Sequence, residues 1–551
     1  MNTLTQKLSL KKQALLTATA LGIVLAMFPL NGNSATSEIP PEVLKQLQEL
    51  SRQVEQLKKQ VNANAKHAPV YEQAGDQQPD VNALQQKVLV LERKQELADE
   101  ELAKQKKEAP VVIAGDKGFG LKSADGKSEI KFRGLIQADA REFTSGIKGQ
   151  HPYNGNTVAQ VDAADAQTHQ AINNFLVRRA RPIIEGKFND VYGFRLTTDF
   201  GNGTTSSTNL VDAYVDANYD PAYKIRVGKF TPGFSLERLQ SSDANKFNEL
   251  GLQSNFAPSR DQGVQVAGDI FNNTLNYSIG YFNGANDGAN GSEDSNTDKE
   301  INARLFASPF ANVPGFFQGL GFGVGVTNTD ARGSFGNTSL TTYKTFGQEN
   351  FFSYRADTAA NNTVYADGQR TRIAPQVSYY NGGFGLTSEY IREKQETARL
   401  WTTGVAPAPV INHQRAEELT NDGWDVTASY ILTGEDASFK SVKPSKPFDP
   451  ANGGWGAWEL TATTGELGID NDAFYGTNGV LGATDSFAQA TRSAKSAHNV
   501  GVGVNWYLNS VLRVSLDYNK TAFDWGGGGT STAPEDREDE DVFIGRIQAS
   551  F

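Results

Sequence analysis

The chain has 551 residues, no Cys, 54 Gly, 10% aromatic residues and two Met, both within the first 28 positions. A hydrophobic share of 38% excludes a helical membrane protein, which needs runs of about 20 apolar residues, and the aromatic content excludes a disordered chain. Without Cys there is no disulfide, thiol catalysis or Cys-ligated zinc, and a net charge of -11 offers no basic field to nucleic acid.

Lys7, Lys11 and Lys12 precede an apolar stretch from Ala14 to Phe28, broken by Pro29 and followed by Gly32, Ser34 and Ala35. A charged start, a short apolar middle and a small-residue exit predict a signal peptide over residues 1–35, cleaved after Ser34 or Ala35. A membrane anchor would need a longer uncharged span. Val43, Leu47, Leu50, Val54, Leu57 and Val61 then form an a/d seam. The seam breaks from Asn62 to Pro79 and resumes at Val81, Leu84, Val88 and Leu91, extended by Ala98 and Leu102. Residues 36–109 are therefore expected to form a coiled-coil stalk of two short helices. Seams this narrow favour oligomerisation over one helix folding back on the other.

From residue 110 the helical period gives way to short alternating segments. Sixteen strands are predicted, among them Ile130–Phe143, Asn173–Lys187, Asp190–Phe200, Arg372–Tyr380, Phe384–Glu393, Gly423–Thr433 and Asp541–Phe551. Tight turns (Asn189-Asp190, Asp220-Pro221, Asn272-Asn273, Asn381-Gly382, Asn509-Ser510) follow even-numbered strands. Long polar stretches (144–172, 231–261, 331–370, 396–421, 465–497) follow odd-numbered ones, while 309–318 and 434–454 break the rule. Short turns at one end and long loops at the other characterise outer-membrane barrels. The fold class expected for residues 110–551 is an all-β transmembrane barrel of 16 antiparallel strands.

The strands are apolar on one face, as in Tyr192 to Phe200, where the even positions are mostly apolar. In a barrel that face meets lipid and the polar face lines a lumen. Phe543, Ile547 and the terminal Phe551 share one face of the last strand. A barrel strand ending on an aromatic residue resembles the signal read by the machinery that assembles outer-membrane barrels. Gly319, Gly321, Gly323 and Gly325 alternate along another strand and predict a smooth face against which something packs closely.

No catalytic, cofactor or metal site is predicted. The five His are scattered, without a ligand-spaced pair on one element, and no Gly-x-Ser-x-Gly elbow stands out. The basic residues are more informative. Phe175 to Pro182 carries Arg178, Arg179 and Arg181. With Ala180, Pro182 and Ile184 towards lipid, Arg179, Arg181 and Lys187 face the lumen. Arg195, Arg226 and Lys229 sit on the next strands, and Arg238 and Lys246 on a segment long enough to fold inside. Arg forks match phosphate or carboxylate oxygens, and a row of them lets an anion exchange partners stepwise. The competing reading is structural, with Asp199, Asp212 and Asp216 available as partners. Residues 1–109 hold 14 basic and 13 acidic side chains, leaving 38 and 50 for the barrel. Anion preference must then come from local placement, with acid concentrated in the loops.

Several blocks resemble the phosphate- and polyphosphate-selective porin family: residues 175–182, Tyr-Gly-Phe-Arg-Leu-Thr-Thr-Asp-Phe (192–200), Asp-Ala-Tyr-Val (212–215), Arg-Val-Gly-Lys-Phe (226–230), Ser-Leu-Glu-Arg (235–238) with Ser241-Ser242, Leu-Thr-Gly-Glu (432–435), Gly-Ala-Trp-Glu-Leu (456–460) and Gly-Val-Asn-Trp-Tyr-Leu (503–508). The resemblance implies a homotrimeric outer-membrane channel passing small anions. It places Arg238, Ser241 and Ser242 in the constriction and Arg178 and Arg179 in an Arg ladder. Lipid and lipopolysaccharide would surround the barrel, with the coiled coil in the periplasm. Where the pattern leads to Glu-Arg, this chain has Glu249-Leu250, and an Arg-Tyr-Ser-like stretch is replaced by Thr461-Ala462-Thr463. A weakly selective general porin, or a barrel tethering the outer membrane to the cell wall through its stalk, stand as alternatives.

Overall fold

The computed structural model describes residues 78–116, 118–145, 173–201, 208–291, 296–334, 336–356, 363–403 and 411–551, with positions 52, 55, 56 and 59. The chain divides into two compact units, Met1–Val112 and Ile113–Phe551. In the first, a 31-residue helix spans Gln78–Glu108. Pro79 occupies its first turn, where no intrahelical N–H is lost, and Pro110 follows its end. Val88, Leu91 and Ala98 of the second seam are half-buried, while Leu89, Val90 and Leu97 are exposed. The signal segment and the first seam, Val43 to Val61, lie outside the described residues.

The strands are β1 (Val111–Gly115), β2 (Gly118–Lys122), β3 (Glu129–Phe143), β4 (Asn174–Phe188), β5 (Tyr192–Asp199), β6 (Asn209–Asp220), β7 (Tyr223–Phe230), β8 (Asp261–Ile270), β9 (Leu275–Phe282), β10 (Glu300–Ala307), β11 (Leu320–Arg332), β12 (Tyr343–Lys344), β13 (Asn350–Phe352), β14 (Thr363–Asn381), β15 (Phe384–Thr403), β16 (Ile411–Ile431), β17 (Ala457–Gly468), β18 (Ser496–Tyr507), β19 (Leu512–Asp524), β20 (Gly526–Thr530), β21 (Ala533–Asp536) and β22 (Glu540–Ser550). Sixteen of them, β3–β11, β14–β19 and β22, pair antiparallel in chain order. β22 pairs back onto β3, which closes the barrel. At the tight turns Asn189, Asp190, Asn272 and Asn273 adopt positive φ, which Asn and Asp tolerate and which matches strand twist.

The burial pattern inverts that of a soluble protein. Val215, Val227, Ile279, Ile301, Val502 and Ile547 point outward and are 54–62% exposed. Gln137, Asp139, Thr197, Arg372, Glu459 and Arg546 point inward and are buried. Aromatics gather near the tight turns, including Tyr192 against Tyr219 at 5.9 Å and Trp458 stacked on Trp506 at 5.0 Å. An apolar outer band with an aromatic girdle is what lipid selects.

The structure departs from expectation in three places. β14–β16 run well beyond the predicted strands, so most of the predicted 396–421 loop is strand. The outward positions there are charged, with Arg392 on Asp422 (3.4 Å) and Lys394 on Glu418 (2.9 Å). The ladder continues past the point where lipid stops imposing apolar alternation, and alternation was the readable signal. Secondly, β2 adds to the lower part of β3 (Phe119↔Phe132, Lys122↔Glu129), below the rungs occupied by β22. Thirdly, two small hairpins, β12–β13 and β20–β21, lie within the long loops. The first of these contributes to an apolar core inside the barrel, where Phe346, Phe351, Phe352, Phe474 and Phe487 are buried against Phe247 and Phe256.

Candidate pore constriction

The 231–260 segment between β7 and β8 folds into the lumen. Ser235 caps a single helical turn, Leu236–Leu239, its Oγ accepting from the Arg238 N–H. Ser235 Oγ and the Leu236 N–H donate to Glu389 of β15 at 2.7 and 2.8 Å. Further along, Lys246 donates to Glu459 of β17 (2.7 Å), the Asn248 N–H to Asp517 of β19 (2.6 Å), and Arg546 of β22 to the Asn248 carbonyl (2.6 Å). The segment thus touches walls on both sides of the lumen. The glycine alternation on β11 explains one docking point. A Cβ at Gly325 would lie 2.4 Å from the Phe234 carbonyl, and one at Gly321 or Gly323 would lie 2.6 Å from the Phe306 ring.

Between the segment and the β3–β8 wall lies a cavity of about 240 Å³, lined by Arg133, Arg181, Arg195, Arg226, Arg238 and Arg260 with Ser241 and Ser242. Five of these arginines meet carboxylates. Arg181 donates to Asp199 at 2.7 Å and to Ser242 Oγ at 3.2 Å. Arg226 holds Asp216 through two bonds of 2.7 and 3.0 Å and lies 3.9 Å over the Tyr214 ring. Arg195 stands 3.4 Å from Glu185 and 3.5 Å from Asp212. Arg133 binds Glu185 (3.2 Å) and Arg260 binds Asp212 (2.7 Å). Arg238 differs: its Nε and Nη2 donate to the Ser254 carbonyl at 3.3 and 2.6 Å, and no ion pair joins it to a carboxylate among the described residues. Burial pushes its guanidinium down to about 10, so it remains cationic at neutral pH. Ser241 Oγ donates to Asp243, and the Ser242 carbonyl accepts from Gln137 at 3.1 Å.

Arg181, Arg195, Arg226, Arg238, Ser241 and Ser242 come together here; Arg179 and Lys229 do not. Arg179 is buried behind the cavity wall, donating to Gln137 at 2.7 Å. Lys229 lies three residues beyond Arg226, on the opposite face of the strand and paired with Ala213, though Arg260 and Asp212 of the cavity lining act on its charge. It is buried rather than pore-lining. Lys187 binds Asp190 at the turn rather than projecting into the lumen. Strict alternation puts Arg178 on the side of Ala180 and Pro182, whereas the family resemblance puts it in the Arg ladder. The register shifts between Gln137 and Ala138 of β3, and Arg178 is the residue left out of the pairing. A bulge of one residue re-aims the side chain, and Arg178 turns inward onto Glu249 at 2.6 and 2.9 Å. Arg133 and Arg260 were missed, although Arg133 shares the inward parity of Gln137 and Asp139. The acid is not confined to loops: Glu185, Asp199, Asp212 and Asp216 stand on the strands beside the arginines they neutralise.

On the other side of the segment, Glu237, Glu389 and Asp425 line a small cavity of about 30 Å³. Glu237 accepts from the Gly251 N–H at 2.9 Å and from Gln253 at 3.0 Å. Burial, with Asp425 nearby, pushes its carboxyl up to about 8.

A closed 16-stranded barrel with an apolar exterior, a charged interior and an inward-folded segment defines an outer-membrane channel of the porin class. Residues 153–550 match the family of phosphate-selective porin O and P, and the chain belongs to that family. It is 24% identical over 473 residues to Porin O of Pseudomonas aeruginosa, covering 80% of this chain and 93% of that one. Similar solved structures include the outer membrane channel DcaP of Acinetobacter baumannii (TM-score 0.45, 12% identity, 78% of this chain and 99% of that one). OprB of Pseudomonas putida is another (TM-score 0.43, 10% identity, 77% and 94%).

Proposed function

We propose that this porin passes small anions of the phosphate class passively, through the arginine-lined cavity. The observation that carries the reading is Arg238, the one lining arginine that makes no ion pair with a carboxylate among the described residues, although Glu237 and Glu389 act on it at longer range. Beside it, the Arg181 fork and the Ser242 hydroxyl offer donors to an oxyanion shedding water. The other five arginines are countercharged, so they focus the field weakly. That pairing favours a second reading, a weakly selective general porin. As the family resemblance implies, the assembled form would be a homotrimer in lipid and lipopolysaccharide. Phe551 would be read by the assembly machinery, and residues 36–109 would form a periplasmic coiled coil.

Planar-bilayer recording of the purified protein decides between the readings. Phosphate added stepwise to chloride should block an anion-selective current at sub-millimolar levels, and Arg238→Ala should relieve the block. Anion preference without phosphate block leaves the general porin. A tether would lose its function, but not its conductance, on deletion of residues 36–109.

A further inference from the structure

A second concentration of positive charge lies behind the cavity. Arg141 of β3, Arg178 of β4 and Arg546 of β22 converge on the Glu249 carboxylate at 2.8, 2.6 and 3.3 Å. Arg178 grips both oxygens. The Glu249 side chain is 2% exposed, whereas Arg178 keeps 22% of its surface. The neighbouring carboxylate, Asp139, is held by Arg546 through bonds of 2.6 and 2.7 Å. Arg179 stands beside the cluster and reaches the cavity wall through Gln137, which also binds Ser242. With Arg179 included, four arginines stand around Glu249 and Asp139, and a third carboxylate, Asp517, lies within electrostatic reach of Arg546.

Planar forks converging on one pair of oxygens are what an oxyanion site provides. Here the oxyanion is covalently part of the inward segment. The adjacent Asn248 fixes the backbone: its N–H donates to Asp517, its Nδ2 to the Ile544 carbonyl at 2.9 Å, and its carbonyl accepts from Arg546. The β4 bulge delivers Arg178 to the same point, and that arginine remains in reach of water.

We infer that Glu249 is a tethered counter-anion: it fills an oxyanion site formed by Arg141, Arg178 and Arg546, and it thereby sets how strongly the pore prefers anions. This deepens the anion-channel reading and rests on it. Removing the carboxylate leaves the cluster one charge more positive, beside the wall that carries Ser242. It also frees three forks for an anion from solution.

The test uses Glu249→Gln, which removes the charge, and Glu249→Ala, which also vacates the site. Reversal potentials in a potassium chloride gradient should show the chloride-to-potassium permeability ratio rising about three- to tenfold in both, one elementary charge acting at short range in a confined pore. Formate, a free carboxylate, should halve the chloride current of Glu249→Ala at a concentration about tenfold below that needed for wild type, because it re-forms the charge-assisted bonds. Gel mobility of unheated samples reports whether each barrel has folded. An unchanged or lowered ratio in folded Glu249→Gln overturns the inference, as does equal formate sensitivity of Glu249→Ala and wild type. A wild type that prefers cations overturns the anion-channel reading instead. The step from wild type to Glu249→Gln is measured whichever sign the wild-type potential has.

Discussion

At the scale of single residues, the wall of the arginine-lined cavity is a set of decisions about which arginine is left with a free face. Asp199 illustrates the trade. Its Oδ2 accepts from Arg181, while Oδ1 accepts from the N–H groups of Ala180 and Gly201, both at 3.0 Å. One carboxylate therefore both ends β5 in place and cancels a cation. Replacing Asp199 with Asn keeps the shape and removes the cancellation. Asp199→Asn is expected to raise the chloride-to-potassium permeability ratio about threefold, the opposite sign to Arg238→Ala. Reversal potentials read both, and an unmoved ratio in Asp199→Asn would make the Arg181 pair structural only. Breaking a half-buried pair also costs stability, on the order of 1–3 kcal/mol, which urea titration of the folded barrel measures. Which residues line the wall was legible as far as parity reaches. Arg181 and Arg195 follow from alternation, whereas Arg178 needed a bulge that no residue type announces, and Lys229 fails because three is an odd number of strand steps. Pairing was legible only as availability: Asp199, Asp212 and Asp216 were named as partners, Glu185 was not although it stands opposite Arg195 across the β4–β5 hairpin, and Glu249 belongs to contacts that only the closed barrel creates.

At the scale of elements, the inward segment is held by polar staples and by a close approach of its backbone to β11. Gly325 admits the Phe234 carbonyl where any side chain would collide. Gly325→Val should therefore push the segment off β11 without opening the strand ladder. Overpacking of this kind costs about 1–3 kcal/mol. Single-channel conductance is expected to rise, with unheated gel mobility unchanged; wild-type conductance in the variant would refute the docking argument. Glu237 adds a pH dependence. Its carboxyl is raised from an ordinary 4.5 to about 8 by burial and by Asp425. A raised acid favours the folded arrangement fully below its ordinary value and progressively less as pH climbs through the raised one. Above about 8 an ionised Glu237 would face Asp425 across the small cavity, so the segment should loosen progressively from about pH 4.5 to about 8 and no further above it. Current noise in single channels should grow over that window and be flat in Glu237→Gln. Equal pH dependence in the two would remove Glu237 as its source. The strands β14–β16 show where element boundaries were unreadable: the ladder outlasts the lipid, and the alternation that marked the strands does not.

At the scale of the molecule, 16 strands were legible because lipid imposes a two-residue period on about 9–11 residues at a time, and because turn and loop lengths alternate with the two ends of the barrel. The apolar core inside the barrel was not, since Phe346, Phe351 and Phe474 sit in segments that are polar on average and meet only after closure. The β22–β3 seam that closes the barrel ends on two residues more than 400 positions apart. The Gly134 N–H donates to the Phe551 carbonyl at 2.8 Å, and the Phe551 N–H returns a bond to the Gly134 carbonyl at 3.0 Å. A Cβ at Gly134 would stand 2.5 Å from the Phe551 ring, so the terminal ring occupies the space that glycine leaves. Contacts of such separation form only after long chain segments have been ordered, which makes this joint a natural weak point in barrel formation. Gly134→Val denies the ring its place and Phe551→Ala removes the ring. Each is expected to lower the fraction of barrel that resists unfolding in detergent at room temperature, by roughly twofold or more for a lost contact of about 0.5–1.5 kcal/mol. The two act on one contact, so the double variant should be no worse than the more severe single one. Additive losses would show that Gly134 and Phe551 act separately, with the terminal ring serving recognition before insertion rather than the seam of the finished barrel.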